Sequence, residues 1–312
     1  MFAKALFLIA AAQLSIPLGK APRVIEPPRA PIETAGPRWA GECKDSDGQA
    51  GWTRPAPPVR IHANTYLVGT CGISSILIVG TDGDVLIDGG PEQGADLIAA
   101  NIRALGFRLQ DVRFILNSHE HPDHVGGIAR LQRLSGATVV TSAPAAQVLR
   151  SGVASPDDPQ AGVNKPFPTA DVGRIVRDGD EVLLGNVMLT AMTTPGHTPG
   201  ALSWRWVSYD GGVCRTIVYA DSLTPVSRDD YRFSDHPAYL AAFRASIAKI
   251  AASPCDILLT PHPTASDMPQ RLARGQPLLD TDACKNYAAA LAKQLDERLA
   301  KEAAAGQAKP KP

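Results

Sequence analysis

Asn117-Ser118-His119-Glu120-His121-Pro122-Asp123-His124-Val125-Gly126-Gly127 carries three of the chain's seven histidines, with a carboxylate between the second and third. It follows Phe114-Ile115-Leu116, a short apolar run that reads as a buried strand, and it leads into a helical pattern over residues 126–134. Imidazoles two apart at a strand end can point into one cavity from opposite sides of a turn. An aspartate and a third imidazole then follow as the chain enters the helix, so one loop can supply ligands to two metals. Neutral imidazole nitrogen with carboxylate oxygen suits zinc and, less selectively, iron or manganese. His197, in Pro195-Gly196-His197-Thr198-Pro199-Gly200, and His262, in Thr260-Pro261-His262-Pro263, also stand where the chain leaves a strand. Any one of these histidines alone reads as an ordinary hydrogen-bonded residue; the joint pattern points to a metal. His62 and His236 lack such a context and are expected to be structural.

Working outward, strands and helices alternate. Residues 64–69 and 74–79 are β-branched or fully apolar runs, and Thr81-Asp82-Gly83-Asp84 turns the chain into Val85-Leu86-Ile87-Asp88. Residues 95–105 show helical spacing and stop at Gly106. Residues 137–141 read as a strand and 143–149 as a helix, and the Pro- and Asp-rich segment 151–171 reads as a long loop of the kind that borders an active site. Later strands are expected near 181–184, 187–192, 202–207, 216–219 and 257–259. One helix is expected over 237–252, capped by Ser234 or Asp235, and another over 282–304. The predicted fold is α/β, two sheets flanked by helices.

Residues 1–21 read as a secretory signal peptide, with Lys4 ahead of an apolar stretch too short and interrupted for a membrane span. Residues 22–58 are Pro-rich without apolar periodicity and are expected to form an irregular arm, 59–304 a single domain and 305–312 a disordered tail. The expected location is therefore periplasmic or secreted. Lys plus Arg equals Asp plus Glu at 31 each, which leaves no net field to draw a polyanion or an anionic membrane. Nucleic acid and, after signal removal, membrane are not expected partners; the expectation is a monomer acting on a small molecule. The five cysteines are available for disulfides after export, the odd number leaves at least one over, and no Cys-x-x-Cys pair supports a four-cysteine zinc site.

From about residue 60 to 299 the chain resembles hydrolases of the metallo-β-lactamase fold, and specifically the subclass B3 metallo-β-lactamases. The resemblance rests on residues 117–127 and on Val68-Gly69-Thr70-Cys71-Gly72-Ile73, Leu86-Ile87-Asp88-Gly89-Gly90, residues 194–200, Tyr219-Ala220-Asp221-Ser222-Leu223, residues 231–237 and residues 255–263. The HxHxDH segment marks the superfamily and the later stretches the subclass. The resemblance implies a four-layer αββα sandwich and two zinc ions, the first held by His119, His121 and His197, the second by Asp123, His124 and His262. It also implies disulfides Cys43 to Cys71 and Cys255 to Cys284. Cys214 is left free, because Tyr209 stands where some relatives carry its partner.

The implied reaction is hydrolysis of the β-lactam amide of penicillins, cephalosporins or carbapenems, the basis of antibiotic resistance. Zinc lowers the pKa of bound water from about 15.7 toward 7. Asp123 would orient the nucleophile. Ser222 and Thr224 are candidates for the substrate carboxylate and Gln160 for the cleft rim. Asp88 and Asp221 are expected to orient ligands from behind. Glu120, between two ligands, is expected to be a solvent-facing or structural carboxylate rather than a general base. The alternatives are another hydrolase of the superfamily, acting on a lactone, thioester or phosphoester, and a non-enzymatic metal-binding protein.

Overall fold

Side chains of the central strands alternate between a core that both sheets share and a separate core under the helices on each outer face. The computed structural model describes residues 30–46 and 48–307. One sheet has the order β1 (Val59–His62), β2 (Thr65–Leu67), β3 (Ile76–Val79), β4 (Asp84–Ile87), β5 (Val112–Leu116), β6 (Thr138–Thr141), β7 (Val172–Ile175). The other has the order β12 (Ile257–Leu259), β11 (Val213–Tyr219), β10 (Leu202–Asp210), β9 (Val187–Thr193), β8 (Glu181–Leu184). Strands β1 to β4 pair antiparallel and β4 to β7 parallel, whereas in the second sheet β11 and β12 form the parallel pair.

Ile76, Ile78, Val85, Ile87, Leu116 and Val140 face the core between the sheets, where they meet Trp204, Trp206, Ile217, Tyr219 and Leu259. Their neighbours Leu77, Val79, Leu86, Ile115 and Val139 point the other way, under α2 (Ala95–Ala104) and α4 (Ile128–Ser135). Val218 and Leu258 likewise lie under α6 (Pro237–Ala252) and α8 (Ala283–Gln307). With both faces of each sheet covered, the central strands read as unbroken apolar runs. The result is the expected sandwich of four layers, two mixed sheets flanked by helices.

Several expectations need correction. Residues 30–58 are not an irregular arm, since α1 (Ile32–Glu42) forms there and buries Ile32, Ala35, Gly36 and Trp39. That is helical spacing, hidden by two glycines and by Pro37, which removes one backbone bond inside the helix. Helix α8 runs on to Gln307, so residues 305–307 are helical and not tail. Strand β7 was not anticipated; three of its four residues are exposed, and it shows no apolar pattern. The N-cap of α6 is His236, because Ser234 and Asp235 are taken up by a preceding 3-10 turn. That turn is held by the Glu302 carboxylate, which accepts from the backbone N–H groups of Phe233 and Ser234 at 3.0 Å each. The proposed signal peptide, 1–21, and residues 308–312 lie outside the described residues. No described helix is long and apolar enough to cross a membrane.

Cys43 is bonded to Cys71 and Cys255 to Cys284, and Cys214 is free and exposed. The bridges span 28 and 29 residues. In the chain-entropy model each would stabilise by roughly 3–4 kcal/mol. The first ties the end of α1 to the β2–β3 loop, and the second ties the approach to β12 to the start of α8.

The HxHxDH loop is held against Asp88-Gly89-Gly90 by backbone bonds as well as by the Asp88 side chain. Gly89 N–H donates to the His124 carbonyl at 2.8 Å and Gly127 N–H to the Gly90 carbonyl at 2.9 Å. A Cβ on Gly127 would stand 2.2 Å from the Gly89 carbonyl oxygen. Since neither backbone can yield without breaking this junction, Gly127→Ala is expected to cost about 3 kcal/mol or more. Urea denaturation measures it; a variant of wild-type stability would show that the two backbones can part.

Candidate metal centre

Every ligand expected from the sequence leaves its sheet beyond the C-terminal end of a strand. His119 to His124 follow β5, His197 follows β9 and His262 follows β12. The sheets are locked together at this edge. Leu202 N–H donates to the Ser118 carbonyl at 2.6 Å, the Trp204 indole to the Asn117 carbonyl at 2.9 Å and the Tyr219 hydroxyl to Asp88 Oδ2 at 2.7 Å. Asp88, at φ +63°, also accepts from the Ser118 amide at 2.6 Å and the Ser118 hydroxyl at 2.8 Å. Pro122 starts the one-turn helix α3 (Pro122–Val125), which brings Asp123 and His124 round behind His119 and His121.

His119, His121 and His197 form one cluster, all buried, with donor atoms within 4.8 Å of one another. Each ring has one nitrogen tied from behind. His119 Nδ1 lies 2.7 Å from Asp221 Oδ1, His121 Nε2 lies 3.0 Å from Asp158 Oδ2, and His197 Nδ1 lies 3.0 Å from both the carbonyl and the hydroxyl of Thr224. The opposite nitrogens are left to face the cluster, and His119 Nε2 is buried without a hydrogen-bond partner. This is how metal-binding histidines are oriented.

The second cluster is tighter. His124 Nε2 lies 3.1 Å from Asp123 Oδ2 and 3.2 Å from His262 Nε2, and His262 Nε2 lies 3.5 Å from Asp123 Oδ2. A tetrahedral zinc with donors at about 2.0–2.1 Å has donor–donor edges of about 3.3–3.4 Å. The residues therefore fit such an ion. The His119 donor atom also lies within 4.8 Å of those of Asp123 and His124, so the two clusters adjoin.

Burial, followed by the neighbouring histidines, pushes His119 well below its ordinary value. Burial first and His121 next lower His197 to about 3, while burial and then His124 lower His262 to about 4. These rings are neutral at neutral pH, as metal binding requires. Burial alone would also lower His124, but Asp123 and then Asp88 outweigh it and raise it to about 10. Asp88 stands 3.6 Å from His124 Nδ1, beyond hydrogen-bond reach, so its effect is one of charge.

Asp221 is buried and contacts His119 through Oδ1. The Ser203 hydroxyl accepts from its amide at 2.9 Å, and its carbonyl accepts from the Tyr287 hydroxyl at 2.9 Å. The next turn holds Leu223 at φ +45°, a conformation unfavourable for a γ-branched residue. Ser222 Oγ is buried without a partner. Glu120 is structural and buried: it accepts from the Thr198 hydroxyl at 2.7 Å and the Gly200 amide at 2.8 Å, fastening the HxHxDH loop to the turn that carries His197. Gln160 lies in the loop between α5 (Ala143–Ser151) and β7, half-buried, with its amide donating to Asp158 Oδ1 at 2.7 Å. His62 sits away from the cluster, 3.1 Å from the Ser208 hydroxyl, and the His236 ring stacks on Tyr231 with centroids 4.6 Å apart. Asp158 and Thr198 were not singled out in the sequence. Only an acidic residue within a Pro-rich loop hinted at the first.

The family model of the metallo-beta-lactamase superfamily matches residues 68–262, from the start of the β2–β3 loop to the last histidine of the site. The chain belongs to the metallo-beta-lactamase superfamily. Among solved structures of the superfamily it is similar to the MIM-2 metallo-beta-lactamase, at 54% identity and a TM-score of 0.82 over 86% of this chain and 98% of that one. The metallo-beta-lactamase MIM-1 from Novosphingobium pentaromativorans is 51% identical, with a TM-score of 0.84 over 87% and 99%. MEM-A1, a subclass B3 metallo-beta-lactamase from a soil metagenome library, is 45% identical, with a TM-score of 0.78 over 81% and 99%. Curated relatives include a probable metallo-hydrolase of Burkholderia pseudomallei, 31% identical, and a hydroxyacylglutathione hydrolase of a Bradyrhizobium strain, 33% identical. Each match covers 43% of this chain, and the chain spans 48% and 40% of those relatives, half their length or less.

Proposed function

We propose that this chain is a zinc-dependent β-lactamase that opens the amide of penicillins, cephalosporins or carbapenems, acting in the periplasm or outside the cell. The observation that carries the reading is the pair of adjoining donor clusters, whose last member is His262. His119, His121 and His197 would hold one zinc, and Asp123, His124 and His262 the other. Bound zinc supplies a Lewis acid and lowers the pKa of water toward 7.

The chain's own residues do the rest. Asp123, with Oδ2 turned to His124 and His262, offers its other oxygen to accept a proton from the attacking water. The unpartnered Ser222 hydroxyl donates to the substrate carboxylate. Thr224 Oγ1 faces His197 Nδ1 and keeps its own proton for the same carboxylate. Gln160 borders the cleft. Two disulfides suit an oxidising compartment.

The names of the curated relatives favour a second reading, hydrolysis of a thioester or a related ester. Near-complete coverage of the β-lactamase neighbours, against half or less of those relatives, favours the first. Turnover of nitrocefin and a carbapenem, set beside lactone and thioester panels with and without a chelator, decides between them. Chelator-sensitive β-lactam turnover is expected; thioester turnover without it would establish the second reading.

A further inference from the structure

Asp158 is a buried carboxylate on a surface loop, 1% exposed, and the reaction outlined above gives it no part. Its two oxygens are divided between the metal centre and the loop itself. Oδ2 faces His121 Nε2 at 3.0 Å, and Oδ1 accepts from the Gln160 amide at 2.7 Å. The same residue's carbonyl accepts from the Ala161 amide at 2.9 Å and from the Arg228 guanidinium at 3.3 Å, while the Arg228 amide donates to the Pro159 carbonyl at 2.9 Å. Arg228 also lies over the Tyr231 ring, 5.2 Å from its centroid. One residue thus meets a candidate metal ligand and a loop turn through its side chain and Arg228 through its backbone.

We propose that Asp158 is a positioning residue that couples this loop to the first metal subsite. Its carboxylate requires His121 to carry its proton on Nε2, which turns Nδ1 to the metal. The turn that presents Gln160 is built on the same carboxylate. Metal in the first subsite and order in residues 155–163 therefore stabilise each other, and by linkage whatever loosens one weakens the other. The inference rests on the metal-site reading above.

The test compares the wild-type chain with Asp158→Ala and Asp158→Asn. Zinc affinity is read by competition with a chromophoric chelator, and hydrogen exchange of residues 155–163 is followed with and without zinc. The His121 tautomer is read by nitrogen-15 NMR of the metal-free protein. Asp158→Ala is expected to weaken the first zinc site about 10- to 100-fold while leaving the second unchanged, the usual scale for losing such a partner. It should also abolish the zinc-dependent protection of the loop. Asp158→Asn keeps the size and one acceptor, should fold if the alanine variant does not, and is expected to show intermediate losses. Wild-type His121 should be in the Nε2–H form and lose that preference in the variants. Unchanged zinc affinity together with unchanged loop protection, or an Nδ1–H tautomer in the wild type, would overturn the proposal. A wild-type chain that takes up no zinc would overturn the metal reading and the coupling with it, while the tautomer measurement, made without metal, separates that failure from an error about Asp158 itself.

Discussion

Under the proposed two-zinc β-lactamase reading, Asp123→Ala is expected to reduce zinc content from two ions to one and to lower β-lactam turnover by about a thousandfold or more, the scale of losing a proton acceptor together with a metal's electrostatic help. The reason lies in how the second cluster is assembled. Burial alone would raise the Asp123 carboxyl, but His124 and then His262 outweigh it and hold it well below the usual carboxylate range. The carboxylate is thus a fixed negative charge between two imidazoles, at 3.1 Å from one and 3.5 Å from the other. Without it, two imidazole nitrogens 3.2 Å apart remain, a pair with too little charge to retain a dication.

Asp123 faces other candidate ligands, so in the metal-free protein its truncation also removes the carboxylate that pairs with buried His124 at 3.1 Å. Breaking such a pair is destabilising, so zinc content and turnover are read at a temperature where the variant's melting curve shows it folded, which separates lost activity from lost folding. Asp123→Asn keeps an oxygen donor and the shape, removes the charge, and should fall between the two. Metal analysis and nitrocefin turnover on the same preparations check the result. Two retained zinc ions with turnover within tenfold of wild type would remove Asp123 from the centre of the mechanism.

The six candidate ligands were legible because donor chemistry and spacing survive in a linear string. His119, His121, Asp123 and His124 are neighbours in the chain, and His197 and His262 stand at strand ends flagged by Gly and Pro. The central strands were legible for a related reason. Runs such as Ile76-Leu77-Ile78-Val79 have no polar face because both sides of the sheet are covered. What escaped was whatever depends on a distant partner. Helix α1 is stabilised by its apolar face and its disulfide in spite of two glycines and a proline, so local propensity pointed the wrong way. Strand β7 is defined by its pairing with β6 alone. Asp158 reaches His121 across 37 positions and Glu302 reaches Ser234 across 68, separations at which no sequence pattern signals a contact.

Asp88 gives the opposite case from Asp123, a carboxylate whose removal should damage the fold before the chemistry. Its side chain accepts from the Ser118 amide, the Ser118 hydroxyl and the Tyr219 hydroxyl, all buried. An orphaned buried donor costs about 1–3 kcal/mol, so three would cost about 3–9 kcal/mol against a typical stability of 5–15 kcal/mol. One of the three has a fallback, the Tyr219 hydroxyl, which can turn toward the Ser74 carbonyl at 3.3 Å. The Ser118 hydroxyl has none, because His119 Nδ1, 3.4 Å away, holds its own proton toward Asp221. The Ser118 amide has none either, and Asp88 stands at φ +63°, where alanine is disfavoured by roughly 1–2 kcal/mol. Two orphaned donors together with the backbone cost put Asp88→Ala at about 3–8 kcal/mol. Asp88→Asn should cost only about 1–2 kcal/mol, since asparagine tolerates the left-handed conformation and keeps an oxygen for the Ser118 amide. Its amide nitrogen can donate to hydroxyls that turn to accept. Urea denaturation of chelator-treated protein separates this from any stabilisation by metal. If Asp88→Ala unfolds at the wild-type urea midpoint, the buried acceptor is dispensable, and the two sheets must be joined at the metal edge by the Leu202 and Trp204 bonds to the β5 exit instead.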